Sequence, residues 1–287
     1  MINVQNLTYS YPNQRDETIK NLNFTIAKGE IYGFLGPSGA GKSTTQKLLI
    51  RLLSGFSGNI QVLGRLLKNW DNSYYNHIGV GFELPNHYAK LTGLENLQLF
   101  ASFYEKQPTN LVALLDRVGL ADAAHKKTQD YSKGMKMRLN FIRALVHDPE
   151  ILFFDEPTSG LDPTNARIIK DIIRELKQHG KTIFLTTHNM HDADELCDRV
   201  AFITQGSIQA EGAPKELKRQ FGKPLLQVEY MNQGTHSKEF ELSNLGKNQE
   251  FLELLNDFPI LNMHSKEASL DEVFIALTGQ KLILTDV

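Results

Sequence analysis

Apolar and polar residues alternate over the first 35 positions, through INVQNLTYSY (2–11), TIKNLNFTI (18–26) and IYGFL (31–35). That period of two predicts short strands, with KGE (28–30) a turn between two of them. Residues 42–53 then read as a helix behind a glycine-rich loop. Thr92 to Glu95 is a capping box opening a helix through Tyr104, QPTN (107–110) breaks the chain, and a further helix ends near Gly119. Residues 86–130 are thus mostly helical, set between strand-rich segments.

Apolar runs return at αβ spacing in ILFFD (151–155), TIFLTT (182–187) and VAFITQG (200–206). Between the first two lies a helix with Asp162 as N-cap, Pro163 at its first position and Gly180 beyond its end. Ile168, Ile169, Ile172, Ile173 and Leu176 make one stripe on it. The pattern is that of an α/β sheet built from βα units with a helical insertion. After EGAPKEL (211–217) the composition shifts. LLQVEY (225–230) and KEFEL (238–242) read as strands, EFLELLNDF (250–258) as a helix, and SLDE (269–272) as a capping box opening a last helix. The expected division is 1–215, with the helical insertion at about 86–145, and a small α+β appendage over 224–287.

Composition narrows the function only by exclusion. A net charge of −2 and a pI near 6.5 leave no footprint for nucleic acid. The single cysteine, Cys197, rules out an internal disulfide framework and fits a reducing compartment. The first residues lack the regions of a signal peptide, and no run approaches the ~18 apolar residues of a membrane span. Any membrane role is expected through a partner.

GPSGAGKST (36–44) follows the strand IYGFL and opens a helix, the context that makes the pattern a phosphate-binding loop. Glycines let the backbone wrap an anion with its N–H groups inward, and the helix N-terminus adds a positive dipole end. Gly36, Pro37, Ser38, Gly39, Ala40 and Gly41 form the cradle. Lys42 would bridge β- and γ-phosphates, Ser43 would ligate Mg²⁺, and Thr44 would bond the α-phosphate. ILFFDE (151–156) supplies Asp155 to orient Mg²⁺ and Glu156 to polarise an attacking water. Alone, that acid pair also reads as two acids capping a strand. His188 ends TIFLTT at the carboxyl edge, where open α/β sheets bind ligands; by spacing alone, a structural histidine stays open. HNMH (188–191) has no further ligand placed to make a zinc site.

In this order the motifs resemble the ATP-binding subunit of an ABC transporter, over roughly residues 2–215. YSKGM (131–135) resembles the family's signature sequence, usually LSGGQ. The resemblance implies a P-loop NTPase core with an antiparallel β subdomain, cofactors ATP and Mg²⁺, and a head-to-tail dimer. There the signature of one chain, through Ser132 and Gly134, binds ATP held by the other. It further implies that Tyr11 stacks on adenine, that Asp162 in SGLD reaches across the interface, that His188 contacts the γ-phosphate and that Glu156 is the catalytic carboxylate.

Two positions depart from the pattern. Lys133 and Met135 stand in the signature where glycine and glutamine are usual, a variant of the exporter branch called ABC-2. At the expected Mg²⁺-ligating glutamine in IGVGFELPN (78–86) stands Glu83, which adds a negative charge beside the triphosphate. LTGLENL (91–97) and SLDEVFIALTG (269–279) also resemble ABC-2 exporters of drugs, lipids or ions.

The function implied is ATP hydrolysis powering export. The expected partners are a second copy or related ATPase chain and integral membrane permease subunits, at the cytoplasmic face of the membrane. Cargo, whether small molecule, lipid or ion, would not touch this chain. A soluble ABC ATPase, such as one for iron–sulfur assembly, is the alternative. A GTPase or small-molecule kinase lacks support, because no N/T-K-x-D motif follows a strand and YSKGM would have no role.

Overall fold

The early alternation folds into β1 (Ile2–Tyr9) and β2 (Ile19–Ile26), antiparallel neighbours with Val4 opposite Phe24 and Leu7 opposite Leu22. The chain continues through β3 (Ile31–Leu35), α1 (Lys42–Leu49), β4 (Ser57–Val62), β5 (Arg65–Leu66), α2 (Tyr74–His77) and β6 (Ile78–Gly81). The helical insertion supplies α3 (Gly93–Ala101), α4 (Leu111–Arg117) and α5 (Lys133–Arg143). Then come β7 (Ile151–Asp155), α6 (Pro163–Gln178), β8 (Thr182–Thr187), α7 (Met190–Leu196), β9 (Arg199–Thr204) and β10 (Ser207–Gly212). The remainder forms α8 (Pro214–Phe221), β11 (Leu225–Met231), β12 (Thr235–Glu241), α9 (Gln249–Asp257), β13 (Ile260–Lys266) and α10 (Leu270–Thr278). This computed structural model describes residues 1–12, 14, 16–106, 110–222 and 224–279.

The chain divides into two units, Met1–Glu211 and Gly212–Val287. In the first, a six-stranded sheet runs β10-β9-β3-β8-β7-β6, with β9, β3, β8, β7 and β6 parallel. A four-stranded sheet, β2-β1-β4-β5, packs against it. Phe24 from the small sheet meets Tyr32, Phe34 and Phe184 of the large one at ring-centroid distances of 5.6, 5.6 and 6.4 Å. Each such fully buried ring contributes on the order of 2 kcal/mol through the surface it removes from water. β3, β7 and β8 are buried at every position, so their apolar residues run together rather than alternate, with polar groups of β7 and β8 only at the strand ends. Behind β3, a Cβ on Gly33 would come within 2.7 Å of the Cys197 sulfur, so any side chain there would have to displace that thiol.

Several boundaries differ from the sequence expectation. α1 stops at Leu49 rather than near 53, because Arg51 turns left-handed (φ 61°). Its N–H bonds Leu48 O and that of Leu52 bonds Lys47 O, a Schellman close made without glycine. α3 ends at Ala101, three residues before Tyr104, and a tighter turn follows. Of the QPTN break, residues 107–109 lie outside the described residues, and Asn110 caps α4 by accepting from Ala113 N at 3.0 Å. Both capping boxes form, Thr92 with Glu95 and Ser269 with Glu272.

The second unit holds a three-stranded antiparallel sheet, β12-β11-β13. Val228, Phe240, Phe251 and Leu254 form its core. β13 is an addition to the expected strands. Its residues ILNMHSK are exposed or half-exposed throughout, so no apolar alternation marks it.

Candidate active site

β3 delivers Leu35 to the carboxyl edge of the sheet, and the phosphate-binding loop turns from there into α1. The loop closes on itself through the Lys42 ammonium, which donates to Gly36 O at 2.7 Å and Pro37 O at 3.2 Å. Ala40 N bonds Pro37 O and Gly206 N bonds Ala40 O, fixing the turn against the end of β9. At Gly36 a Cβ would lie 2.2 Å from Ile203 O, and Gly41 has φ 108°, so side chains are barred at both. Lys42 is buried, which pushes its ammonium below the ordinary lysine range, against the pull of Glu156, Asp155 and Glu83.

β7, next but one to β3, delivers Asp155 and Glu156 to the same edge. Asp155 Oδ1 accepts from Ser43 Oγ at 3.4 Å and from the Thr186 hydroxyl. Glu156 turns left-handed (φ 49°) just past the strand, a conformation an L-residue holds only when its surroundings fix it. They do so here. Thr187 Oγ1 donates to Glu156 Oε2 at 2.8 Å, while His188 offers Oε1 both its backbone N–H (2.9 Å) and Nδ1 (2.7 Å). Glu83, just past β6, completes the acidic cluster. Partial burial, and then the charges of Asp155 and Glu156, push its carboxyl above the usual carboxylate range, although its outer side stays exposed.

Tyr11 lies beside the loop, its hydroxyl 3.1 Å from Thr44 Oγ1 and its ring edge-on to Tyr9 at 5.2 Å. Lys42, Ser43, Thr44, Asp155, Glu156, His188, Glu83 and Tyr11 are thus gathered at one site. Gly36 through Gly41 wall it.

Ser132, Gly134 and Asp162 make their contacts elsewhere. Ser132 is exposed at the N-cap of α5 and accepts from Met135 N at 3.2 Å. Gly134 faces Leu161, and Lys133 lies over Gly160, its Cε 3.3 Å from where a Cβ would stand. Asp162 caps its own helix α6, accepting from Thr164 N and Asn165 N at 3.1 Å and from the Asn165 amide. Those bonds hold the Asp162 carboxyl below its ordinary range.

Thr186 and Thr187 were not among the residues the sequence marked. Two hydroxyls ending an otherwise apolar buried strand were their only signal. Asn140 was missed too: a buried amide among Leu139, Phe141 and Ile142.

The arrangement is one for a polyphosphate: a backbone cradle, a buried cation, oxygen ligands for a hard divalent ion, and an oriented carboxylate. Known proteins agree. The family described as ABC transporter matches residues 19–159, and the fluoroquinolone efflux ABC transporter C-terminal domain matches residues 225–267. A fluoroquinolones export ATP-binding protein of Mycobacterium tuberculosis is 52% identical over 98% of this chain and 94% of its own.

The chain belongs to the ABC transporter ATP-binding family.

A Nod factor export ATP-binding protein of Neorhizobium galegae is 34% identical, over 98% of this chain and 86% of its own. Among solved structures, an ATP-binding subunit of an ABC transporter aligns with TM-score 0.70 at 29% identity, covering 77% of this chain and 93% of its own. A dimeric ATP-binding cassette in a post-hydrolysis state, bound to ADP and Pi, aligns with TM-score 0.68 at 26% identity, over 74% and 98%. This ABC subunit is therefore an ATP-binding, ATP-hydrolysing protein of the export type, and a soluble role is not favoured. Among the described residues no helix is long and apolar enough to cross a membrane.

Proposed function

We propose that two copies, or one copy and a related chain, close head to tail around two ATP molecules, and that this motion drives export through separate membrane subunits. The reading rests above all on one observation: Glu156 is held by Thr187 and His188 beside the phosphate loop, while Ser132 stands exposed at the start of another helix. Half a site per chain needs a partner.

In this reading the loop amides and Lys42 hold the β- and γ-phosphates, and Tyr11 stacks on the adenine. Glu156 Oε2 or Oε1 accepts a hydrogen bond from the water that attacks the γ-phosphorus, in line with the departing ADP oxygen. His188, fixed by the same carboxylate, orients the γ-phosphate. Ser132 and the N–H groups opening α5 bind the γ-phosphate of the partner's ATP, with Gly134 allowing close approach. Asp162 crosses the interface. Ser43, Asp155 and Glu83 present only oxygen donors, which fits Mg²⁺, and the ion when bound would neutralise phosphate charge. The protein's own contribution is to hold those oxygens on one side of the loop.

Permease subunits would dock on the helical insertion and the Glu83 loop before it, where Leu84, Tyr88 and Phe103 are 78%, 54% and 66% exposed. That puts the chain at the cytoplasmic face of the membrane, attached only through its partner. The likeness to a fluoroquinolone exporter along nearly the whole chain favours a small drug-like cargo, held by the membrane subunits.

The test is ATPase activity of the purified chain against protein concentration, with Glu156→Gln as control. Specific activity that rises with concentration, and ATP-trapped dimers of the variant, are expected. Concentration-independent turnover by a monomer would overturn the two-chain site.

A further inference from the structure

The loop carrying Glu83 is fastened to α5 at three places. Asn140 Nδ2 donates to Phe82 O at 2.5 Å, Arg143 donates to Asn86 O at 2.7 Å, and His87 Nε2 donates to Lys136 O at 2.9 Å. A carbonyl only accepts, so His87 carries its proton on Nε2; burial also depresses its pKa to about 4 and keeps the ring neutral. Arg143 donates in addition to Asn140 Oδ1 at 2.7 Å and lies over the Phe100 ring at 4.5 Å. Residues 136, 140 and 143 follow one another at helical spacing, four and then three apart, and Ser132 lies one turn before the first on the same stripe. A single straight face, ~16 Å long, therefore carries the exposed Ser132 at one end and the Glu83 loop along the rest.

Asn140 is the centre of this fastening. Only 3% exposed, its amide is shut off from water, where an unbonded amide costs free energy and an aliphatic residue would not. Both its polar atoms are used, one on the loop and one on Arg143.

We infer that Asn140, with Arg143 and His87, is a positioning residue that makes the Glu83 loop and the signature helix one body, so that a chain's grip on its partner's ATP and the placing of Glu83 at its own ATP change together. The inference rests on the head-to-tail reading above. In that dimer α5 is the connection between the two nucleotide sites, and Asn140 sets how stiff it is.

Asn140→Leu keeps the volume and removes both bonds; Asn140→Asp keeps the acceptor for Arg143 and removes only the donor to Phe82 O. Hydrogen exchange on the full nucleotide-free chain should show the Tyr88 amide, bonded to Asn96 Oδ1 at the end of this loop, exchanging about tenfold faster in both variants, with those of 137–143 unchanged. In the Glu156→Gln background, the Mg²⁺ concentration for half-maximal ATP-driven dimerisation should rise roughly three- to tenfold, with the ATP requirement at saturating Mg²⁺ unmoved. If Glu156→Gln alone forms no ATP-dependent dimer, the head-to-tail reading fails. If it dimerises and both Asn140 variants leave exchange and Mg²⁺ requirement unchanged, this inference fails by itself. Uniformly faster exchange in α5 as well would mark Asn140 as a packing residue and overturn the inference too.

Discussion

Glu156 and His188 meet at 2.7 Å, carboxylate Oε1 against imidazole Nδ1, and the backbone N–H of His188 donates to that same oxygen. An ionised carboxylate only accepts, so Nδ1 carries a proton and Nε2 is the ring atom left for substrate. The two side chains therefore act as a unit. Glu156→Gln and His188→Ala are each expected to lower kcat by about 10²-fold or more, and the double variant by little beyond the worse single one. ATP binding should stay within a few-fold. Single-turnover phosphate release and nucleotide titration check both halves, and multiplicative losses would separate the pair.

Tyr11 offers a ring and a hydroxyl, and the two are separable. Tyr11→Phe removes the bond to Thr44 and keeps the ring; ATP affinity should fall no more than about threefold. Tyr11→Ala removes the stacking surface and should weaken it by roughly 5- to 100-fold, the range for loss of one base-stacking partner. Titration with a fluorescent ATP analogue, and with triphosphate alone, distinguishes base from phosphate contacts.

Mixing chains tests the division of labour between Lys42 and Ser132. Lys42→Ala spoils a chain's own loop, and Ser132→Arg spoils what it lends. A mixed dimer keeps one wholly intact site, so combining two inactive variants should restore a quarter to a half of one site's turnover, in rough proportion to the mixed dimers formed. No recovery on mixing would place both residues in one chain's site.

His147 predicts an acid limit to stability. It is 2% exposed, stacked on Tyr104 at 3.6 Å, and bonded through Nε2 to Ile78 O at 2.9 Å. Burial depresses its pKa to about 4, whereas the unfolded chain offers the ordinary ~6.5. The folded form binds the proton less readily, so the neutral ring's contribution is whole above pH 6.5 and is lost as pH falls from there towards 4. Between pH 7 and 5 this amounts to on the order of 1–2 kcal/mol. Urea unfolding at the two pH values should show the fall, and His147→Phe, which keeps the stack, should lessen it by about that amount, leaving the share of the similarly depressed His87.

The readable parts of the site were those where chemistry dictates residue type. GPSGAGKST and ILFFDE carry their function in identity and order, and the capping boxes at Thr92 and Ser269 are local patterns that no tertiary contact overrode. Arg51 ends α1 in a conformation usually left to glycine, so the stop signal was absent from the sequence. β13 pairs with β11 along its length, yet only Ile260 at its start packs on the core, while Leu261 and Met263 stay about half exposed, so it shows no buried face to read. Thr186, Thr187 and Asn140 bond Asp155, Glu156 and Phe82, groups at least 30 residues away in sequence, and proximity of that kind is what folding creates.

Cys197, the chain's sole cysteine, has a further consequence. It lies under Gly33, 8% exposed, with its thiol pushed well above the usual range by burial. At neutral pH it is protonated and shielded, a poor nucleophile. The natural chain is already a silent background for sulfur chemistry. One cysteine placed at the exposed Ser38 of one copy and one at the exposed Ser132 of another would be the only reactive pair in the mixture. A covalent bridge between them would record the closing of the two chains without any native thiol having to be removed first.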